Sequence, residues 1–222
     1  QLMSRHFHLI SSFFNTLRLT MRAKSDPDGS SRLFDLIAPI YGRTFRHQYE
    51  NYFEIYQRQH VREMLAGCRS ILDIGCGTGA MASALRTSGY QITGVDASLG
   101  MLRQAKNLLR SETTSCILSD VNGGLPFFAK GFDVCLASYV AHGLKPPERF
   151  ALYAEMRRLA GKIVIIHDYT DKRSLITDIA EWGEGGDYFN FIKVVQDELR
   201  DYFGNLQVIP VEPRAALYIC QI

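Results

Sequence analysis

The stretch ILDIGCGTG, residues 71–79, restricts the fold of this chain more than any other part of the sequence. A short, mostly apolar run leads into glycines at alternate positions, and the strong helix formers AMASAL follow directly. This order predicts a strand, a tight turn and a helix. The glycines allow positive φ and let a ligand approach the backbone closely. Because a helix N-terminus favours negative charge, we predict a nucleotide-like ligand with an anionic end. A tight turn without a ligand is the alternative.

The glycines alone do not select the ligand. Gly75-x-Gly77-x-x-Ala80 also fits the dinucleotide-binding fingerprint, and Asp96 follows about 20 residues later, where a ribose-binding acid is expected. Asp73, however, lies two residues before the first glycine. A carboxylate there would repel a pyrophosphate but suits an ammonium group. S-adenosylmethionine carries both a carboxylate for the helix N-terminus and an amino group for acceptors near Asp73.

Apolar strands and helical stretches alternate regularly from residue 70 onward. The predicted strands 71–74, 92–96, 116–120, 133–138 and 163–167 imply a parallel sheet with right-handed crossovers. Two further strands, 206–211 and 215–220, are joined by too few residues for a crossover and must be antiparallel. We therefore predict an α/β fold: a Rossmann-like, doubly wound, mostly parallel seven-stranded sheet with an antiparallel C-terminal strand and N-terminal helices.

Two motifs carry a resemblance to a known family. The D-x-G-x-G-x-G pattern from Asp73 to Gly79 resembles that of class I S-adenosylmethionine-dependent methyltransferases. LFDLIAPIYG, residues 33–42, resembles the lead-in of the ubiquinone/menaquinone-biosynthesis (methyltransferase type 11) group. The resemblance implies S-adenosyl-L-methionine as cofactor and S-adenosyl-L-homocysteine as product. An NAD(P)-dependent oxidoreductase and a non-catalytic S-adenosylmethionine-binding protein are the alternatives.

Residues at the strand ends complete the expected cofactor pocket. The two carboxylate oxygens of Asp96 can accept hydrogen bonds from both ribose hydroxyls, and Ser98 is better placed to cap the following helix. Asp120 is expected to bind the adenine amino group, and Ser138 holds a position that contacts the methionine end in the family. The predicted cofactor-binding residues are Asp73, Gly75, Gly77, Thr78, Gly79, Asp96, Ala97, Met101, Asp120, Val121 and Ser138.

Candidates for catalysis are fewer. Methyl transfer is a displacement at a sulfonium carbon, so a base is needed only if the acceptor arrives protonated. His142 and His167 follow the fourth and fifth strands, at the sheet edge where ligands bind, although such histidines also occur as packing residues. The resemblance implies that Tyr41 reaches the bound ligand, with a packing tyrosine as the alternative. Segment 171–191, which contains Trp182, is a candidate acceptor-binding segment or a plain helix connection.

The sequence favours a small-molecule acceptor. Methyltransferases that act on the amines of nucleic-acid bases resemble one another in a D/N-P-P-Y/F motif, where this chain has Ser138-Tyr139-Val140-Ala141. The net charge of +2 gives no argument for nucleic acid. The five cysteines lack C-x-x-C spacing, so we predict no metal site and reduced thiols in the cytoplasm.

The N-terminal part precedes the predicted catalytic domain. Residues 1–24 show apolar positions at three- and four-residue steps and only basic charges, which predicts an amphipathic helix that binds a membrane surface, the domain itself or a second subunit. Residues 25–31 are predicted as a linker, so that residues 1–31 form one unit. Residues 32–222 form the methyltransferase domain, in which 32–68 are a helical lid.

Overall fold

The computed structural model describes residues 29–109, 114–172 and 187–222. The predicted N-terminal helix 1–24 and most of the candidate acceptor segment, including Trp182, lie outside these residues. The described helices are α1 (Gly29–Gln57), α2 (Gln59–Met64), α3 (Ala80–Thr87), α4 (Leu99–Leu109), α5 (Pro146–Leu159) and α6 (Tyr188–Phe203). The strands are β1 (Ser70–Ile74), β2 (Gln91–Asp96), β3 (Thr114–Leu118), β4 (Phe132–Ser138), β5 (Ala160–Tyr169), β6 (Gln207–Glu212) and β7 (Ala215–Gln221).

The seven strands form one sheet in the order β3-β2-β1-β4-β5-β7-β6. Neighbouring pairs from β3 to β5 are parallel, whereas β7 is antiparallel to both β5 and β6. The predicted fold class is confirmed, including the antiparallel C-terminal strand that a dehydrogenase sheet lacks. The chain order reverses beside β1, and ligands bind outside the carboxyl ends of strands at such a point.

Helices cover both faces of the sheet. Leu72, Cys135 and Val164 point into a core that α5 and α6 complete, with Tyr153 and Phe191 at its centre. On the other face, the core beneath α1, α2 and α3 is formed by Ile55, Val61, Ile71, Leu85, Val134 and Ile163. Because strand side chains alternate and both faces are covered, the central strands appear in the sequence as continuous apolar runs.

Local signals explain where several helices begin and end. Pro146 and Pro147 occupy the first turn of α5, where a missing N–H costs nothing, and the Glu148 carboxylate accepts the Lys145 N–H (2.9 Å). Gly204 ends α6 in the left-handed conformation, with φ 82°.

Two helices extend beyond their predicted bounds. α1 runs through Pro39 and includes Gly29–Ser31, which we predicted as linker. Proline in a helix interior is unfavourable, but α1 packs along both α3 and α4, and this tertiary packing outweighs the local cost. α6 begins at Tyr188, so Tyr188–Phe191 belong to a helix and not to the candidate acceptor loop.

Within the described residues, no helix is both long and apolar enough to cross a membrane.

Candidate functional site

The glycine loop connects β1 to α3 through three left-handed residues. Gly75, Gly77 and Gly79 have φ of 75°, 53° and 81°, a region that other residues rarely adopt. A Cβ on Gly75 would overlap Cγ2 of Val140, whereas a Cβ on Gly77 would meet no heavy atom within 4 Å. Gly75 is therefore required by protein packing, and Gly77 borders open space. Thr78, between Gly77 and Gly79, is buried.

Asp96 holds the glycine loop in place. Its Oδ2 accepts the Gly77 N–H at 2.7 Å, and its Oδ1 accepts the Ser98 N–H at 2.8 Å. Burial raises the pKa of this carboxyl group, while the two hydrogen bonds oppose that effect. Asp96 thus lies at the predicted pocket and has a structural role that the sequence analysis did not assign. Ala97 beside it is exposed.

Asp73 is the least satisfied polar residue of the site. Its side chain is 0% exposed, and neither carboxylate oxygen has a hydrogen-bond partner among the described residues. Burial, with a smaller contribution from the charge of Asp96, raises the pKa of Asp73 to about 8. An ionised carboxylate is strongly unfavourable under these conditions unless a cation or N–H donors approach it. Asp73 therefore fits the amino group of S-adenosylmethionine, and the open space at Gly77 fits a ligand that approaches the loop.

Helix α1, which contains the lead-in motif, is attached to the N-terminus of α4 by the Asp35 carboxylate. Ser98 Oγ accepts the Met101 N–H at 3.0 Å, so the prediction that Ser98 caps this helix is confirmed. Asp35 Oδ1 accepts both the Ser98 hydroxyl (2.6 Å) and the Gly100 N–H (2.7 Å). A Cβ at Gly100 would lie 2.8 Å from the Asp35 Cα, so this approach requires glycine. Tyr41 packs with the cluster that contains Met101, on the α4 side of the site.

We expect Asp35→Ala to destabilise the protein by about 1 kcal/mol, the usual cost of a lost helix cap. The substitution removes the acceptor for both Ser98 and Gly100. Urea denaturation measures this effect, with Glu54→Ala at an exposed position of the same helix as the control. Equal stabilities of the two variants would contradict the assignment of Asp35 as a cap.

The residues predicted to bind adenine follow β3. Asp120 is exposed, and its carbonyl accepts the Gly123 N–H (3.2 Å) at the start of the 3-10 turn Val121–Gly123. The Ser119 N–H donates to the Asp96 carbonyl (3.0 Å), which joins the ends of β2 and β3. Asp120 and Val121 thus lie at the same sheet edge as the glycine loop, and their contacts with adenine remain a prediction.

His142 pairs with Asp168 across the ends of β4 and β5. His142 Nδ1 lies 2.8 Å from Asp168 Oδ1, and its backbone N–H donates to Oδ2 at 3.2 Å. Asp168 also accepts the Tyr169 N–H (2.8 Å) and is fully buried. Aromatic rings surround the imidazole, with centroids at 4.9 Å for Tyr169 and 6.4 Å for Tyr188. A carboxylate at Nδ1 fixes the orientation and tautomer of a histidine, which is the arrangement of a general base.

Tyr139 adopts an unusual backbone conformation directly after β4. Its φ of 53° is rare for a bulky residue, and such conformations concentrate at functional sites. The Tyr139 hydroxyl donates to Glu212 Oε2 at 2.8 Å, and Asn51 of α1 donates to the other oxygen of that carboxylate. The Tyr139 ring lies 5.1 Å from the ring of His167 and 6.4 Å from that of His142. Tyr139 therefore separates the two histidines.

His167 occupies a different environment from His142. Side chains alternate along β5, so His167 faces α1 while Asp168 faces the α6 side. His167 is 0% exposed, its Nδ1 lies 3.4 Å from Ser138 Oγ, and its Nε2 has no partner among the described residues. Burial lowers the pKa of His167 to about 4, so the ring is neutral near neutral pH. The Ser138 hydroxyl also donates to the Tyr52 hydroxyl of α1 at 3.2 Å.

Several site residues were missed by the sequence analysis. Asp35, Tyr52 and Glu212 contribute through contacts between distant parts of the chain, which no local pattern reveals. Asp168 directly follows the candidate base His167 in the chain, but its partner could not be read from the sequence. No group of His, Cys, Asp or Glu suited to a metal ion occurs in the part of the chain that the structure describes.

Comparisons with known proteins agree with the fold and with a methyltransferase domain. A family model described as a methyltransferase domain matches residues 71–162. An uncharacterized methyltransferase of Staphylococcus carnosus is 25% identical over 186 residues, which are 80% of this chain and 86% of that protein. The demethylmenaquinone methyltransferase of Tropheryma whipplei (strain Twist) is 27% identical over 154 residues, 65% of this chain and 61% of that protein.

Solved structures support the same fold. The crystal structure of an S-adenosylmethionine-dependent methyltransferase from Aquifex aeolicus superposes with a TM-score of 0.59 at 17% identity, covering 90% of this chain and 100% of that one. The matched family model begins within β1 and spans the glycine loop and the His142 turn. Together with the antiparallel β7, this sets aside the oxidoreductase alternative. The matched methyltransferase domain, the relatives and the fold together support a class I S-adenosylmethionine-dependent methyltransferase.

Proposed function

We propose that this enzyme methylates a small-molecule acceptor and that His142, oriented by Asp168, is its general base. The observation that carries the proposal is the buried His142–Asp168 pair at the carboxyl ends of β4 and β5. This pair is adjacent to the cofactor loop, because Val140, two residues before His142, contacts Gly75. A base and the expected methyl donor thus lie at the same edge of the sheet.

The cofactor residues are assigned on the same grounds. Asp73, buried and without a partner, is proposed to accept the amino group, and Asp96 the ribose hydroxyls. Asp120, with Val121, is proposed to bind adenine, Met101 to pack beside it, and Thr78 and Ala97 to line the pocket. Ser138 is proposed to contact the methionine end, because it is the last residue of β4, which pairs with β1.

When bound, S-adenosylmethionine supplies an electrophilic methyl group. The Asp168 carboxylate accepts Nδ1–H of His142, so in the neutral ring the basic lone pair is on Nε2, which is proposed to take the proton from the acceptor. Tyr139, Tyr169 and Tyr188 exclude water around the imidazole. His167, which is buried and neutral, is proposed to support Ser138 instead of acting as a base, and Tyr41 is proposed to contact the ligand from the α4 side.

Two observations favour a small acceptor. The β4 end reads Ser138-Tyr139-Val140-Ala141 and not the motif of base-amine methyltransferases. The described rings around His142 form a compact, mostly apolar environment that suits a planar or apolar molecule better than a polyanion. The name of the Tropheryma whipplei relative, a demethylmenaquinone methyltransferase, agrees with such an acceptor. Five free thiols support a reducing, cytoplasmic location.

The acceptor can be sought through the release of S-adenosylhomocysteine. We expect turnover with at least one member of a panel of quinols, phenols, amines and carboxylates, and none with ribosomal or transfer RNA. RNA-dependent release in the absence of any small acceptor would contradict the proposed class.

We expect His142→Gln to lower turnover by about 10²-fold or more, because the variant lacks the group that takes the proton. The affinity for S-adenosylhomocysteine, measured by calorimetry, should stay within about twofold, since His142 touches the acceptor side. A base acts in its neutral form, so the wild-type rate should rise with pH through the His142 ionisation, and this rise should vanish in the variant. His60→Gln, at an exposed position, is the control. Equal rates and pH profiles in all three proteins would leave positioning alone as the mechanism.

A further inference from the structure

Arg149 is a fully buried arginine that the methyltransferase motifs leave unexplained. It lies on α5, 0% exposed, away from the glycine loop. Its Nε and Nη2 donate to the two oxygens of Glu198 on α6, at 2.8 and 2.6 Å. Its Nη1 donates to Asp187 Oδ2 (2.9 Å) and to the Leu144 carbonyl (2.6 Å). Four hydrogen bonds therefore connect one guanidinium to three separate parts of the chain.

Stability alone does not account for this arrangement. A buried ion pair recovers little of its desolvation cost, and replacing it by apolar residues is often neutral or stabilising. The planar guanidinium of arginine instead fixes the distance and angle between the groups that it joins. The groups joined here are the turn that carries His142, through Leu144, and α6, through Asp187 directly before its first residue and Glu198 within it.

The first turn of α6 packs on His142. The rings of Tyr188 and Phe191 each lie 6.4 Å from the imidazole, and the Arg149 guanidinium carbon lies 5.6 Å above the Phe191 ring. Asp187 directly precedes the first residue of α6, so Arg149 holds the N-terminus of this helix. Arg149 thus acts on His142 in two ways, through the turn that carries it and through the rings that pack on it.

We infer that Arg149 is a positioning residue for methyl transfer: it sets α6 against the His142 turn and so holds His142 in its place beside Asp168. The inference deepens the proposed function and rests on it for its catalytic meaning. The placement of His142 can nevertheless be measured without any acceptor. Among the described residues, the groups that face His142 include Asp168 and Tyr169 from β5, Tyr139 after β4, and Tyr188 and Phe191 from α6.

The chain offers a matched control on the same helix. Arg158, near the other end of α5, forms a similar fork with Glu155 (2.8 and 2.5 Å) and donates to the carbonyls of Phe127 and Leu125. It has no described contact with His142 or α6. Arg158→Met therefore reproduces the loss of an arginine fork from α5 without disturbing the His142 turn.

The experiment follows the His142 ring by side-chain NMR across pH in the full chain, with His142→Gln to assign its signal. We expect Arg149→Met to move the titration midpoint of His142 by about half a pH unit or more, because its distance from Asp168 changes. Arg158→Met should leave that titration unchanged, and both variants should bind S-adenosylhomocysteine as the wild type does. Arg149→Lys, which keeps the charge but not the fork, should resemble Arg149→Met and serves if the latter fails to fold.

Unchanged His142 titration in both Arg149 variants, or equal changes in the Arg158 variant, would overturn the inference. The result is independent of the proposed base. If His142→Gln retained full turnover while Arg149→Met still moved the His142 titration, the proposed function would fail and the positioning role would stand.

Discussion

Replacing Asp73 by asparagine is expected to stabilise the cofactor-free protein and to weaken cofactor binding. Asp73 is fully buried and its carboxylate oxygens have no described partner, so its charge is unfavourable until a cation arrives. An asparagine also leaves buried polar atoms without partners, but it carries no charge. Residues that bind ligands commonly lower stability in this way.

The pH dependence of this effect has a definite sign. Burial raises the pKa of Asp73 from the ordinary aspartate value of 3.8 to about 8 in the folded protein, so between these pH values the folded state keeps a proton that the unfolded state releases. The contribution of Asp73 to the free energy of unfolding is therefore complete below about pH 4, and this contribution is lost as the pH rises through 8. We expect Asp73→Asn to exceed the wild type in stability by on the order of 1–3 kcal/mol at pH 8, and by little near pH 4.

Urea denaturation at several pH values measures the difference between variant and wild type, which isolates Asp73 from other titrating groups. Asp133→Asn is the control of opposite sign. The hydrogen bond from Lys162 lowers the pKa of Asp133 to about 2, so its substitution should destabilise the protein at neutral pH. A destabilised Asp73→Asn protein at pH 8 would contradict the assignment.

Cofactor binding gives a second readout for Asp73. We expect Asp73→Asn to bind S-adenosylhomocysteine about tenfold more weakly or worse, because a charged hydrogen bond is lost. Binding by the wild type near neutral pH should also release a proton, since the arriving ammonium group stabilises the ionised carboxylate. Calorimetry in buffers of different ionisation enthalpy detects that proton. Equal affinity in the variant would place the amino group elsewhere.

The second large effect is expected in the glycine loop. Protein packing requires glycine at position 75, whereas we expect the bound ligand to require it at position 77. Gly77→Ala should cost about 1 kcal/mol of stability from its positive φ, yet abolish measurable cofactor binding, because the added Cβ occupies space free of protein atoms. Gly75→Ala should lose both stability and binding, since its Cβ overlaps Val140.

Thermal denaturation and calorimetry with S-adenosylhomocysteine separate the two variants. Adding Val140→Ala should restore part of the stability lost in Gly75→Ala, because it removes the overlapping atom, and should do nothing for Gly77→Ala. Retained cofactor affinity in Gly77→Ala would show that the ligand does not approach this residue.

The sequence was sufficient for those features that depend on neighbouring residues. Alternate glycines between an apolar run and strong helix formers identify the β1 turn, and the φ values of Gly75, Gly77 and Gly79 agree. The Ser98 cap, the parallel strands and the short connection before β7 were predicted for the same reason: turn, capping and crossover rules act over a few residues. Only element bounds shifted, as at Tyr188, which tertiary packing placed in a helix.

Only the tertiary structure decided which candidate groups work together. His142 and Asp168 are 26 residues apart, and they meet because β4 and β5 align Ser138 with His167 and place Asp168 on the opposite face. The same register buries His167 under Tyr52, so two histidines of similar appearance in the sequence differ in environment, and burial lowers the pKa of His167 to about 4. Arg149 acquires its partners only when α6 packs on α5. Local rules fix the cofactor loop, whereas burial and pairing, which set protonation and orientation, depend on contacts that exist only in the folded chain.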